Sequence, residues 1–177
     1  MNHKVSIEVK PGNALSQNEI HEIVDLCSQA FECDYLSFLD VFDDPIHVLA
    51  KPDGVLVSHA LWITRWLEIK DLPRLRTAYV EGVATHEIYR GEGYAAAVVK
   101  RLVGEIQDYD ISALSPADTT LYARLGWEYW QGPLYARKDG DWIHVPEETA
   151  MILRTPETPR LEFQAPLSIE WREGEVW

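Results

Sequence analysis

The spacing of apolar residues changes along the chain, and each change marks an element. Val5, Ile7 and Val9 alternate with Ser6 and Glu8, the period of a strand, and Pro11-Gly12 closes it. From Ile20 the period becomes helical, with Ile20, Ile23, Val24, Cys27 and Phe31 on one face. Ser16, with Glu19 three residues on, is a capping-box start, so a helix is predicted over residues 16–31. A second, short helix is expected over 35–42. Residues 46–51 and 55–69 read as strands flanking Pro52-Asp53-Gly54, a hairpin signal. Leu72-Pro73 turns the chain into a fourth strand at 77–84. Ala95, Val98, Val99, Leu102 and Ile106 then return to helical spacing. Ile111–Leu114 reads as a short strand, and 116–125 as a short helix ended by Gly126. Further strands are expected at 127–131, Leu134–Lys138, Met151–Arg154 and 167–171.

This order is a meander followed by strand–helix–strand–helix–strand. It predicts an α+β layered fold, with helices packed on a central, mostly antiparallel mixed sheet. Residues 1–177 are read as a single domain, long enough for a real core. Glu81-Gly82 interrupts the fourth strand, and glycine inside a strand often marks a bulge. Such a bulge would part neighbouring strands and leave the backbone groups of Gly82, Val83 and Ala84 lining a cleft.

Composition narrows the classes. A hydrophobic content of 46% and seven Trp argue for a packed globule rather than disorder. No run is long and apolar enough to cross a bilayer, and the start Met1-Asn2-His3-Lys4 is unlike a signal peptide, so a cytoplasmic protein without a membrane partner is expected. Cys27 and Cys33 imply no disulfide framework, and a buried thiol is the expectation for Cys27. The six His (3, 21, 47, 59, 86 and 144) lack metal-ligand spacing, so no metal is expected. No Gly-x-Ser-x-Gly elbow is present, which argues against a serine hydrolase. The net charge of −13 argues against nucleic acid as a partner and suits a cationic small molecule.

The chemistry centres on Arg90-Gly91-Glu92-Gly93-Tyr94-Ala95, a glycine-rich turn that opens a helix. Several backbone N–H groups gather there at the positive end of the helix dipole, which suits a pyrophosphate. Arg90 could add a charged donor. The turn lacks the third glycine of the dinucleotide fingerprint and the Gly-Lys-Ser/Thr of a nucleotide-hydrolase loop. An ordinary strand–turn–helix punctuated by glycines is the alternative. Through Arg90, Gly93 and Ala95 the turn matches Arg/Gln-x-x-Gly-x-Gly/Ala. It thereby resembles the acetyl-CoA pyrophosphate loop of the GCN5-related N-acetyltransferases (GNAT). The resemblance implies the acyl-CoA N-acyltransferase fold, acetyl-CoA as co-substrate, and cofactor contacts from Val83, Ala84, Arg90, Gly91, Glu92, Gly93, Tyr94 and Ala95. The pantetheine arm would pair with the bulged strand as an added strand does.

Tyr122 precedes Gly126-Trp127 as a tyrosine of that superfamily does when it faces the cofactor sulfur. A phenol in reach of a departing thiolate can protonate it, whereas the alternative is a core Tyr with a satisfied hydroxyl. The N–H of Val83, after the bulge, is the natural oxyanion donor. Glu81 could accept the amine's proton through water, or could only steady the bulge or a cationic substrate.

A narrower resemblance joins Tyr79-Val80-Glu81-Gly82-Val83-Ala84, the 90–95 loop, Leu121-Tyr122-Ala123, Gly126-Trp127 and the ending Glu170-Trp171-Arg172-Glu173-Gly174-Glu175-Val176-Trp177. Together these look like the aminoglycoside 2'-N-acetyltransferases, whose chains end in Asp-Trp-Arg-x-Gly-Asp-Val-Trp. The resemblance implies N-acetylation of the 2'-amine of an aminoglycoside antibiotic, hence resistance, by direct transfer in a homodimer. It implies Tyr122 as general acid. It also implies substrate contacts from Asp34, Glu81, Gly82, Ser115, Glu148, Glu175 and the α-carboxylate of Trp177. Glu148 and Glu175 stand where that family has Asp. The family's Asp-Trp pair after the first helix is missing from Asp34-Tyr35-Leu36-Ser37-Phe38-Leu39-Asp40. Bulkier, apolar residues on that wall favour kasugamycin over a deoxystreptamine aminoglycoside. The alternatives are acetylation of a polyamine or peptide N-terminus, or a non-catalytic drug-binding module. Trp62, Trp66, Trp130 and Trp142 are expected in core or rim packing, or stacked on sugar rings.

Overall fold

The structure is a computed structural model that describes residues 5–177. The chain packs as two compact units. The first holds the described residues up to Ile63 together with Val80–Glu105, and the second holds Thr64–Tyr79 and Ile106–Trp177. Two long strands, β3 (Ser58–Ile69) and β4 (Leu75–Thr85), contribute one half to each unit.

In the first unit, β1 (Val5–Pro11) pairs antiparallel with β2 (Ile46–Pro52), which pairs antiparallel with the first half of β3. Helix α1 (Gln17–Phe31) starts at the predicted capping box. Ser16 Oγ accepts from Glu19 N at 3.2 Å, and Glu19 Oε2 accepts from Ser16 N at 2.9 Å. Glu19 also receives Lys10 and Lys51, each at 2.6 Å, which ties the helix start to β1 and β2. These donors hold the Glu19 carboxyl far below the usual range. Helix α1 buries Ile23, Leu26 and Cys27, whereas Phe31 is exposed. Helix α2 covers Tyr35–Leu39, shorter than expected, because Val41 and Phe42 donate three residues back and tighten the end into 3-10 turns. Strand β3 starts at Ser58, three residues later than predicted. Asp53 (φ 52) and Gly54 (φ 85) make a left-handed turn, and the chain rejoins β2 only where Val57 N donates to Ala50 O. Helix α3 (Tyr94–Glu105) buries Val98, Val99 and Leu102, each worth about 1.5–3 kcal/mol of apolar burial.

In the second unit the strands run β6-β9-β5-β4-β3-β10-β7-β8. They are β5 (Ile111–Leu114), β6 (Glu128–Tyr129), β7 (Leu134–Lys138), β8 (Asp141–His144), β9 (Met151–Arg154) and β10 (Leu167–Glu170). Pairing is parallel for β4–β5 and β10–β7 and antiparallel for β5–β9, β6–β9, β10–β3 and β7–β8, the mixed, mostly antiparallel sheet expected. Helix α4 spans only Thr120–Arg124. Its start is late because Asp118 Oδ1 takes Thr120 N at 2.8 Å, a local turn that competes with the helix. Gly126, at φ +92, follows its end. The strand expected over 127–131 shrinks to β6, because Trp130, Gln131 and Gly132 donate to loop carbonyls. Strand β8 was not foreseen. Its residues are all exposed, so they carry no inward-facing apolar period to read.

Candidate active site

Each unit carries part of the predicted chemistry. In the first, Gly82 sits inside β4 at φ +58, the left-handed value a bulge glycine adopts. A Cβ there would lie 2.0 Å from Tyr35 Oη and 3.3 Å from His59 Cε1, so glycine is required by space as well as by φ. Burial pushes the Tyr35 phenol up, so it stays protonated. His59 Nδ1–H donates to Gly82 O at 2.7 Å, so this carbonyl bonds a side chain within the sheet. Glu81, Gly82 and Val83 are half-buried, and Ala84 is buried. Asp34 is exposed beside α2 and accepts from Ser37 Oγ at 2.7 Å.

The loop ahead of α3 has the build expected for a phosphate cradle. Gly91 (φ +84) and Gly93 (φ +87) are left-handed, and a Cβ on either would meet open space. The α3 ladder starts with Ala97 N donating to Gly93 O at 3.0 Å. The N–H groups of Tyr94, Ala95 and Ala96 precede it, and these are the groups a helix leaves without internal acceptors. Arg90 and Glu92 are exposed, with Arg90 Nε donating to Thr85 O at 3.3 Å. An open, left-handed turn with converging N–H donors fits a pyrophosphate. His86 is half-buried and accepts from Ile88 N at 3.4 Å, a turn-capping role.

In the second unit, Tyr122 lies on α4, half-buried, with its ring edge-on to Trp127 at 6.0 Å. Burial, and secondarily Asp118, push its phenol up to about 12, so it keeps its proton at neutral pH. Glu148 Oε2 accepts from Ser115 Oγ at 3.4 Å. Burial and the charge of Glu175 raise the Glu148 carboxyl above its ordinary value, while Ser115 opposes them. The structure thus brings Ser115, Glu148 and Glu175 into one acidic group.

The ending folds back on a residue that sequence reasoning missed. Arg65, on β3, is only 2% exposed. Its guanidinium donates to Glu170 Oε1 at 3.2 Å, to Glu170 O, and to Val176 O at 2.6 Å, and it lies 5.2 Å from the Tyr79 ring centroid. Trp66 N adds a donor to Glu170 Oε2 at 3.1 Å, and Arg172 Nε donates to Glu175 O. Trp177 is buried. The sequence offered only an arginine inside the strand read over 55–69, and its burial in the structure is what demands the pairing. His47 and His59, both buried, were likewise missed. Trp62 and Trp130 are buried, while Trp66 and Trp142 are exposed. Among the described residues no His, Cys, Asp and Glu cluster could hold a metal, and no helix is long and apolar enough to cross a membrane.

Comparison with known proteins decides the family. Residues 13–130 match the family model of the acetyltransferase (GNAT) domain. The chain belongs to the GNAT acetyltransferase family. It is similar to the aminoglycoside 2'-N-acetyltransferase of Mycolicibacterium fortuitum, 32% identical over 139 residues, which cover 75% of this chain and 71% of that protein. This GNAT chain is therefore an acetyltransferase. Its fold is shared with the Escherichia coli GNAT family N-acetyltransferase YhbS, solved in complex with CoA (TM-score 0.64, 19% identity, 96% of this chain and 90% of that one). A GCN5-related N-acetyltransferase from Kribbella flavida aligns over 73% of this chain (TM-score 0.57, 20% identity). The chain spans about a third of the length of that structure, 34%.

Proposed function

We propose that this acetyltransferase moves the acetyl group of acetyl-CoA onto the 2'-amine of an aminoglycoside antibiotic. The observation that carries the reading is the acidic group of Ser115, Glu148 and Glu175, folded beside an anchored chain ending. A polyamine sugar offers many cations and few apolar atoms, so its site should be acidic and rich in hydrogen-bond acceptors. The 32% identity to the M. fortuitum enzyme supports the same substrate class.

The backbone of Gly91, Gly93, Tyr94 and Ala95, with Arg90, would hold the CoA pyrophosphate, and the backbone of Val83 and Ala84 the pantetheine arm. Acetyl-CoA supplies an activated acetyl thioester. Glu81 takes the amine proton, directly or through an ordered water. Val83 N–H donates to the oxyanion. Tyr122 Oη, protonated throughout the neutral range, donates to the departing sulfur. Asp34, Gly82, Ser115, Glu148, Glu175 and Trp177 orient the drug. The wall formed by Tyr35, Leu36, Phe38 and Leu39 is mostly apolar and carries no Asp-Trp pair, which favours kasugamycin, the smaller drug, over the deoxystreptamine class.

The test is thiol release from acetyl-CoA in the presence of kasugamycin, tobramycin or spermidine. Turnover on an antibiotic with none on spermidine is expected. Turnover confined to spermidine would overturn the substrate class.

A further inference from the structure

Two buried histidines, absent from every role above, converge on the strand residue that precedes the oxyanion donor. His59 on β3 and His47 on β2 are 0% and 1% exposed. Their hydrogen bonds fix their tautomers. A carbonyl only accepts, so the 2.7 Å contact from His59 Nδ1 to Gly82 O requires a proton on Nδ1. Burial, and then the neighbouring His47, push His59 down to about 3, so the ring is neutral and its Nε2 is bare. That nitrogen accepts from His47 Nδ1–H at 2.9 Å. Cys27 adds a weaker donor: its Sγ lies 3.9 Å from Gly82 O, and burial keeps the thiol protonated.

The Gly82 carbonyl and the Val83 N–H belong to one peptide group. That group is planar and trans, so fixing where the carbonyl points fixes the N–H in the opposite direction. A donor on the carbonyl oxygen also polarises the N–H across the same amide. Gly82 is left-handed, and Tyr35 Oη stands 2.0 Å from where a Cβ would lie, so the backbone can pass here only as glycine. We infer that His59 is a positioning residue: by donating to Gly82 O, with His47 holding its tautomer, it aims and polarises the Val83 N–H. The inference rests on the reading of Val83 as the oxyanion donor.

The test uses the full chain labelled isotopically at glycine carbonyls and valine nitrogens. Only Gly54–Val55 and Gly82–Val83 then carry both labels, and the first is an internal reference in an exposed turn. His59→Leu should shift the Val83 amide signal and leave that of Val55 in place. It should also lower kcat about 10–100-fold, less than deleting an oxyanion donor outright, with the acetyl-CoA KM within about twofold. His59→Asn, whose amide can reach Gly82 O, should restore most of both. His59→Val is the second loss variant should the leucine not fold. A fall in kcat with the Val83 signal unmoved overturns the inference, because His59 would then act only through packing. Failure of asparagine to restore anything overturns it too. A shifted signal with unchanged kcat leaves the peptide orientation standing and overturns Val83 as the oxyanion donor.

Discussion

The two units build their parts of the chemistry from different materials. The first uses backbone: glycines at φ +58, +84 and +87, the N–H groups at the start of α3, and a carbonyl held by His59. The second uses side chains brought from distant points of the chain: Arg65, Ser115, Tyr122, Glu148, Glu170 and Glu175. Backbone donors need no desolvated charge and recognise a phosphate or an oxyanion in the same way in any substrate. Side-chain acids must be gathered and held, and a single substitution can exchange one of them. The difference sets a backbone cradle for the acetyl donor, in the proposed function, apart from a side-chain cluster that supplies Tyr122 and most of the acids for the amine.

The largest effect should come from Tyr122→Phe. Removing the phenolic proton should lower kcat about 10²–10⁴-fold while the acetyl-CoA KM moves little. Burial keeps this phenol protonated up to about 12, so no alkaline loss of activity between neutrality and that range should trace to it. Unchanged turnover in the Tyr122→Phe variant would remove the second unit from the chemical step and leave it amine recognition alone. Next comes Arg65→Met, which removes the side-chain donor to the Glu170 and Val176 carbonyls. A loss of about 1–3 kcal/mol in denaturant unfolding is expected, as for buried carbonyls left without their donor. A loss under about 1 kcal/mol would show that the ending is held by something other than Arg65.

How legible these parts were follows from their materials. The capping box of α1, the register-breaking Gly82 and the glycines ahead of α3 could be read directly, because each is a local demand of backbone geometry. Helix α4 came out shorter than read, since Asp118 bonds the backbone in competition with a helical turn. The hydrophobic period also missed β8, whose two faces are both exposed. The partners of Arg65, His47 and His59 were not legible, because the partners of a buried polar residue are set by tertiary packing 12 to 111 positions away. The acids Glu148 and Glu175 were singled out only through the family resemblance, since two glutamates 27 residues apart carry no local signal.

Two smaller effects sharpen the division. Gly93→Val forces a β-branched residue to φ +87, a strain of about 1–2 kcal/mol, so the acetyl-CoA KM should rise about tenfold with the amine KM unaffected. A matching rise in the amine KM would mean the loop serves both substrates. Glu148→Gln should raise the amine KM only about three- to fivefold, as suits a partly exposed charge. Burial and Glu175 raise the Glu148 carboxyl, so it ionises later than an ordinary Glu as pH rises. The amine KM of the parent enzyme should accordingly improve as pH climbs past the ordinary carboxylate range, and the glutamine variant should flatten that slope. An unchanged slope would assign the dependence to another acid.

The most direct measurement is the position of the acetyl group on the reacted drug, read by NMR of the purified product after incubation with acetyl-CoA. A single acetyl group, on the 2'-nitrogen, is expected. A product acetylated on a different amine, or no acetylated drug while acetyl-CoA binds normally, would contradict the proposed function.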